Sequence, residues 1–498
     1  MDGFPPNLPG VYILWYDSGV DRFRLYSLPM NFMEDKNLQA DLPDFRGLPV
    51  TVMGLGRHGG GLAAVRWLVE QGARVTVSDA SPAERLTDSI RAIEDLPLVG
   101  CRFGGHDAAD FRDAQLIVPN PGVRHDNPFL QEATERGIPC IGEIELFIRN
   151  CNAPIVAITG SNGKSTTAAM TAELIRAAGR RVFLGGNIGV SLLPRLAEIS
   201  PDDRVVLELS SFQLYHMRAD WPGVDVAAVT SFTPNHLDWH DTMSHYRAAK
   251  QRILQAGGGD SDRPAVVLPT WDEEVDRWGK SLAAGRCPIV DSPELPEMPA
   301  ARGPHNRRNA RLALSIYFAL ARHCGESPPD CNICQQALRD FAGLPMRLQL
   351  IAERDDRQFV NDSTATTPQS VAEAVGALAS LRRPLWVLIG GKNKGLDFRP
   401  LFRLMLSGES LVHGVVFYGV CGPNLFSDYQ AVRKELREEV AQEARQVETL
   451  DQALCFAAES SQRGDTIVLS PGCAATDQFV NYAARGRHFD RLVGEIFA

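Results

Sequence analysis

The sequence predicts an α/β protein of three domains with largely parallel sheets. Three observations predict it. β-Branched runs such as Val50-Thr51-Val52 end in glycine turns and feed helices with one apolar face. The same strand–turn–helix unit opens again near residue 151. From about Gly343 onward, short apolar strands recur with loops after their C-terminal ends, as in an open parallel sheet. A chain of 498 residues has room for two to four domains, each with its own core. The expected divisions are a leader over 1–45 and domains over 46–150, 151–343 and 344–498.

Composition narrows the class. With 44% hydrophobic and 22% charged residues, the chain reads as an ordinary soluble globular protein. Its net charge of -10 argues against a general nucleic-acid binder, which must balance phosphate repulsion. No apolar run approaches the roughly 20 residues that cross a bilayer. Ten cysteines scattered over the chain do not make a disulfide framework, so the cytoplasm is the expected location, and a monomer the expected state. In the leader, "GVYILWY" is too short for a membrane span and no basic stretch precedes it. Met30 and Met33 precede a polar run that leads into the first clear strand, so residues 1–32 are expected to be an ill-packed leader or a translation start placed too early.

The first domain is expected to be Rossmann-like. In "LPVTVMGLGRHGGGLAAVRWLVEQGARVTVSDAS" a strand meets Gly54-x-Gly56-x-x-Gly59, a helix follows with Ala63, Val65, Leu68 and Val69 on one face, and Asp79 ends the next strand. This is formally a dinucleotide fingerprint. A UDP-sugar offers a pyrophosphate and sugar hydroxyls as readily as NAD does, and a plain tight turn needs the same glycines.

The second domain is expected to be P-loop ATPase-like. "PIVAITG" reads as a strand and "KSTTAAMTAELIRAAG" as a helix, with Gly160-Ser161-Asn162-Gly163-Lys164-Ser165-Thr166 between and into it. The usual phosphate loop has a glycine where Ile158 stands, so this loop is shorter. Helix N-terminal amides attract phosphate, Lys164 adds a charge, and Ser165 offers a hydroxyl to Mg²⁺. Glu208 closes the apolar strand "RVVLEL", where an unpaired carboxylate is costly unless a cation or local hydrogen bonds satisfy it. His236-x-Asp238-x-His240 follows the next strand and has zinc-like spacing without a supporting cluster. His236 is therefore either structural or, one strand from Glu208, part of the site. Lys250 lies on a helix with Tyr246, Ala249 and Ile253, a place where lysine is normally a solvated charge. Cys331-x-x-Cys334 falls inside an amphipathic helix with no second pair and reads as packing. The third domain, expected to be Rossmann-like, carries "RQFVNDSTATTP", "RPLWVLIGGKNKGLDF", "GVVFYGV" and "DTIVLSPGCAATDQF", with Pro368, Gly390-Gly391 and Pro471-Gly472 marking turns.

From residue 46 to the end, "GLGRHG", "VPNPGV", "IGEIELF", "TGSNGKST", "GNIG", "ELSSFQL", "YRAAKQRI", "HNRRNARLAL", "GLPMRLQ", "NDSTAT" and "LSPGCAATDQF" occur in the order of the Mur ligases. The chain resembles that family, whose members form amide bonds in peptidoglycan synthesis at the expense of ATP, and the shortened loop is the family's form. The resemblance points to the branch that adds D-glutamate to UDP-N-acetylmuramoyl-L-alanine through an acyl phosphate, with ATP and Mg²⁺. It implies that Ser165 and Glu208 hold one Mg²⁺, and that His236 and a carbamylated Lys250 hold a second. Asn306 and Asn309 would face adenine, and Arg347 and Asp362 the phosphates and ribose. Asn187 would lie near the substrate carboxylate. Thr366, Lys394, Ser470 and Phe479 would face glutamate, and Gly56, Arg57 and Asp79 the UDP.

The chain also departs from the family. The family's Asp-Ser-Lys-Ala-Thr-Asn is here Asp362-Ser363-Thr364-Ala365-Thr366-Thr367, and Ser231 and Asn235 stand where it has asparagine and aspartate. Both changes are expected on the acceptor side and leave the handedness of glutamate open. The Asp-Asn-Pro-Arg of diaminopimelate- or lysine-adding relatives is absent, and Asn162 stands where alanine-adding relatives have histidine. A folylpolyglutamate-type ligase would lack the first domain and the "SPGCAATDQF" tail. A non-catalytic relative would have lost a metal ligand.

Overall fold

The structure, a computed structural model, describes residues 11–17, 22–28, 44–56, 59–188, 191–218, 221–254, 265–280, 282, 295–298, 301, 303–327, 329–379, 382–407, 411–436 and 442–496. Within the expected leader it holds two antiparallel strands, β1 (Val11–Asp17) and β2 (Arg22–Leu28). Among the described residues the core begins at Phe45, whose ring meets Trp67 edge-on at 5.2 Å.

Three parallel-type sheets follow, as the strand–turn–helix pattern predicts. The first contains β3 (Pro49–Met53), β4 (Arg74–Asp79), β5 (Gly100–Phe103) and β6 (Leu116–Pro119), in the order β5-β4-β3-β6 and wholly parallel. The second contains β7 (Ile155–Thr159), β8 (Val182–Gly186), β9 (Arg204–Glu208), β10 (Val226–Val229) and β11 (Ala265–Val267), in the order β11-β10-β7-β9-β8, also parallel. The third contains β12 (Gln349–Arg354), β13 (Arg357–Asn361), β14 (Leu385–Gly390), β15 (Val412–Tyr418), β16 (Glu443–Gln446) and β17 (Thr466–Gly472). Its order is β12-β13-β17-β14-β15-β16, and only the edge pair β12/β13 is antiparallel. Pro471-Gly472, expected to be a turn, continues β17, with Gly472 opposite Gly390.

The period-2 alternation of strand side chains divides the cores. In the second sheet Val156, Ile158, Val206, Val226 and Ala228 face the helices Lys164–Ala177 and Pro304–His323. Ile155, Ala157, Val205, Leu207, Ala227 and Val229 face the other way, into a core that runs on through Leu146 and Phe147 to Val50, Val52 and Leu68 of the first sheet. The first two sheets thus share one apolar core across the helix Glu143–Asn150. The third sheet has its own two faces, with Val387, Ile389, Val415 and Val468 on one and Trp386, Leu388, Val416 and Ile467 on the other. No helix among the described residues is long and apolar enough to cross a membrane.

Candidate active site

Past the end of β7 the chain turns through Gly160–Gly163 into the helix Lys164–Ala177. Gly163 has φ +81°, and a Cβ there would lie 2.5 Å from Asn309 Oδ1, so no other residue fits without displacement. The segment after β10 braces the turn. Ser161 and Asn162 donate their N–H groups to the Ser231 carbonyl (2.8 Å) and hydroxyl (2.9 Å), and Ser161 Oγ donates to the Thr233 carbonyl (2.9 Å). Lys164 donates to the Ser161 carbonyl at 2.9 Å. First-turn amides of the helix have no intrahelical acceptor and give this end positive potential.

Glu208 ends the neighbouring strand β9. Its Oε1 accepts from Asn187 Nδ2 at 2.7 Å, while Oε2 is buried and has no hydrogen-bond partner among the described residues. Leaving such an atom unsatisfied costs roughly 1–3 kcal/mol, and more for a charge. His236 has left-handed backbone (φ 55°), and Asn235 Oδ1 accepts its N–H at 2.9 Å. Phe212 meets its ring edge-on at 4.8 Å. Burial first, then the nearby lysines Lys394, Lys164 and Lys250, lowers the His236 imidazole to about 2, so it is neutral and able to donate a lone pair.

Lys250 overturns the ordinary expectation for a helical lysine. On the helix Met243–Gln251 it is 1% exposed, with Nζ 4.8 Å above the Tyr246 ring. Nζ donates to the Gly160 carbonyl at 2.6 Å and to Thr159 Oγ1 at 3.4 Å. Burial, with the nearby Lys164 charge, pushes its amine well below the usual lysine range, while Glu208 opposes the shift. Lys164 is also lowered, by burial chiefly, with Glu208 opposing and Arg347 and Lys394 adding.

Beside the loop lies a cleft of about 230 Å³. Of the residues expected at a nucleotide, Asn162, Gly163, Thr166, Asn306, Asn309, Arg347 and Asp362 line it. Asn309 Nδ2 donates to Asn306 Oδ1 at 3.1 Å, one helical turn apart. Arg347 reaches across from the third block and donates to Ser165 Oγ at 2.9 Å. The Asp362 carboxyl is pushed up to about 7 by burial, against the Ser470 hydroxyl that donates to it at 2.8 Å. Trp271, His305, Arg308 and Glu373 also line the cleft. Sequence reasoning passed over them, although His305 and Arg308 stand inside "HNRRNARLAL".

The residues expected at glutamate are less tightly gathered. Lys394 lies within electrostatic reach of Lys164 and His236, and Thr366 is half-buried two residues after Thr364, which lines the cleft. Ser470 is fully buried and occupied by Asp362. Phe479 packs against His488 and the core face of Trp386 and Leu388. Ser231 and Asn235, expected on the acceptor side, bond Asn162 and the His236 backbone.

In the first sheet the Asp79 carboxylate accepts the N–H groups of Gly56 (3.0 Å) and Ser81 (2.8 Å). Arg57 lies outside the described residues. Strand and helix approach closely at Gly61, where a Cβ would lie 2.8 Å from the Leu55 carbonyl carbon. Arg124, missed in the sequence although adjacent to "VPNPGV", joins this sheet to the His236 segment. It donates to the Asp238 carbonyl (2.9 Å) and pairs with Asp241 (3.1 Å), which also meets His125 Nε2 at 3.1 Å.

Three successive α/β sheets, with a shortened phosphate loop facing a neighbouring glutamate, histidine and dry lysine, describe a modular ligase. The chain belongs to the Mur ligase family. Its residues 49–142 match the Mur ligase MurD-like N-terminal domain, 158–292 the Mur ligase middle domain, and 346–473 the Mur ligase glutamate ligase domain. It is 34% identical over 477 residues to UDP-N-acetylmuramoylalanine--D-glutamate ligase of Methylobacillus flagellatus, covering 90% of this chain and 97% of the relative. The enzyme of the same name from Anaeromyxobacter dehalogenans is 35% identical over 487 residues, covering 91% and 99%. Among solved structures, the fold is similar to UDP-N-acetylmuramate-alanine ligase MurC from Thermotoga maritima, with a TM-score of 0.55, 20% identity and 90% and 99% coverage. It is also similar to a MurF ligase from Thermotoga maritima in complex with ADP, with a TM-score of 0.53, 14% identity and 93% and 100% coverage.

Proposed function

We propose that this Mur ligase joins D-glutamate to UDP-N-acetylmuramoyl-L-alanine, with ATP converted to ADP and phosphate. The observation that carries the reading is the buried, unpartnered Glu208 Oε2 beside the phosphate loop. An unsatisfied carboxylate oxygen next to an anion-binding loop would suit a hard cation. The residues present fit Mg²⁺: Ser165 and Glu208 would hold one ion, and His236 with Lys250 a second. The second ion requires Lys250 as its carbamate, because an ammonium beside it would repel it. The dry, neutral amine that burial favours is the form that takes up CO₂. When bound, Mg²⁺ supplies charge neutralisation for the phosphate groups.

The chain's own groups do the rest. Asn306, Asn309, Arg347 and Asp362 hold the nucleotide in the cleft, and Lys164 with the helix amides faces its phosphates. Asn187, fixed by Glu208, lies at the carboxylate of the UDP-bound substrate. The terminal phosphoryl group passes to that carboxylate, the glutamate amine attacks the resulting acyl phosphate, and the tetrahedral intermediate expels phosphate. Lys394, Thr366, Ser470 and Phe479 receive glutamate, while Gly56, Arg57 and Asp79 receive UDP. Positioning and electrostatic stabilisation account for most of the rate.

The experiment is phosphate release with Mg²⁺ and ATP. It is expected only when UDP-N-acetylmuramoyl-L-alanine and D-glutamate are both present. Turnover with L-glutamate alone would reassign the acceptor and point to Thr364. Equal turnover with a folate acceptor, or none with any UDP-muramoyl substrate, would overturn the reading.

A further inference from the structure

Cys421 and Cys473 follow β15 and β17, strands that do not pair with each other because β14 lies between them. Their thiols nevertheless meet, Sγ to Sγ, at 3.5 Å. The reason is the end of β14. Gly390 and Gly391 have no side chains there, and a Cβ at Gly391 would lie 3.1 Å from Cys473 Cβ, while one at Gly390 would lie 2.8 Å from the Tyr418 ring. The backbone is drawn in on both sides: Cys421 N–H donates to the Gly391 carbonyl (3.1 Å), and Ala474 exchanges hydrogen bonds of 2.8 and 3.0 Å with Lys392.

The pair has the polarity of a reactive dithiol. Contact with the Cys473 thiol, and then backbone hydrogen bonds from Asn393 and Cys421, lower the Cys421 thiol against the opposing pull of burial and Asp477. The same contact, with burial, raises Cys473. Cys421 keeps 8% exposure beside Val420, which is 69% exposed, so a small solute reaches it more easily than Cys473, at 1%. The ligase reaction proposed above uses neither thiol.

We propose that Cys421 and Cys473 form a reversible oxidation site whose co-substrate is hydrogen peroxide, closing as a disulfide over the end of β14. The Cys421 thiolate attacks one peroxide oxygen; the S–O bond forms, the O–O bond breaks, and the departing hydroxide takes up a proton to leave water. The Cys473 sulfur then attacks the sulfenic sulfur; the S–S bond forms, the S–O bond breaks, and the Cys473 proton leaves with the second water. Two thiols are oxidised and one peroxide is reduced. The sulfurs have to close by only about 1.5 Å to reach bonding distance.

The cross-link would tie the segment after Ser470 to the loop after β15, whose Cys421 N–H bonds the Gly391 carbonyl, three residues before Lys394. Its effect on catalysis rests on the functional reading above; the chemistry of the pair does not. The test oxidises the full chain with hydrogen peroxide, blocks the remaining thiols with an alkylating agent and maps the peptides by mass. A Cys421–Cys473 linked peptide lighter by two hydrogen atoms is expected, removed by dithiothreitol and absent from Cys421→Ser. Ligase activity is expected to fall on oxidation and to recover with dithiothreitol, whereas Cys421→Ser keeps its activity through the same treatment. Alkylation of both cysteines after peroxide, or a lasting sulfenic acid trapped at Cys421 without a linked peptide, would overturn the site. A linked peptide with unchanged activity overturns the effect on catalysis alone. A linked peptide in a protein inactive even when reduced places the failure in the functional reading.

Discussion

Lys250 and Glu143 are two buried ionisable residues with opposite demands. For Lys250 the neutral amine is the precondition of a carbamate. Lys250→Ala is expected to lose most ligase activity and Lys250→Arg not to restore it, since a guanidinium takes up no CO₂ and stays charged. Acetate or formate is expected to rescue the alanine variant in part by supplying oxygens; near-normal turnover of Lys250→Arg would exclude the carbamate. Glu143 bonds Ser191 and is raised from 4.5 to about 7 by burial, the Ser191 hydroxyl opposing the shift. Below about pH 4.5 folded and unfolded chains both keep its proton. Between there and about 7 only the folded chain does, so stability falls as pH rises and levels off above. That span is worth on the order of 3 kcal/mol. Glu143→Gln is expected to flatten the decline, measured as denaturant midpoints at pH 5 and pH 8, and an unchanged slope would remove Glu143 as its source.

At the level of elements, the strand–turn–helix units could be read because each announces itself locally: a β-branched run, a glycine turn, an apolar stripe. The phosphate loop was legible for the same reason. What could not be read were facts of register and distance. The fingerprint marks Gly54, Gly56 and Gly59, but the helix begins at Gly60, and the residue packed against the β3 turn is Gly61. Lys250 looks solvated because its acceptor, the Gly160 carbonyl, lies 90 residues away along the chain. The partners of Ser231 and Asn235, Asn162 and the His236 backbone, could not be read because they are set by how β10 lies against β7. Gly61→Ala tests this close approach. It is expected to cost about 1–3 kcal/mol of stability through overpacking, and thermal unfolding that matches the parent protein would show that the approach tolerates a side chain.

Across the whole molecule, the proposed working parts are drawn from all three sheets. The first two sheets share a core, whereas the third engages the loop through polar contacts such as Arg347 to Ser165 and Ser370 Oγ to Asn162 Oδ1 (3.2 Å). Arg347→Ala is accordingly expected to raise KM for ATP while leaving the unfolding midpoint nearly unchanged, and a parallel loss of stability would mean that Arg347 is mainly structural. The core begins at Phe45, so a protein starting at Met33 is expected to keep its activity; a fall of more than about tenfold, roughly 1.4 kcal/mol of barrier, would show that residues 1–32 support a working part. The bond from Ser470 to Asp362 reaches further. It joins a hydroxyl on the proposed glutamate side to a carboxyl on the nucleotide side, so neither ligand can reorganise its own partner without altering the other's. Two ligands that share such a link are coupled reciprocally: whatever factor ATP contributes to glutamate affinity, glutamate must return to ATP. Calorimetric titration of each ligand with and without the other is expected to give one common factor, and Ser470→Ala to bring it towards unity.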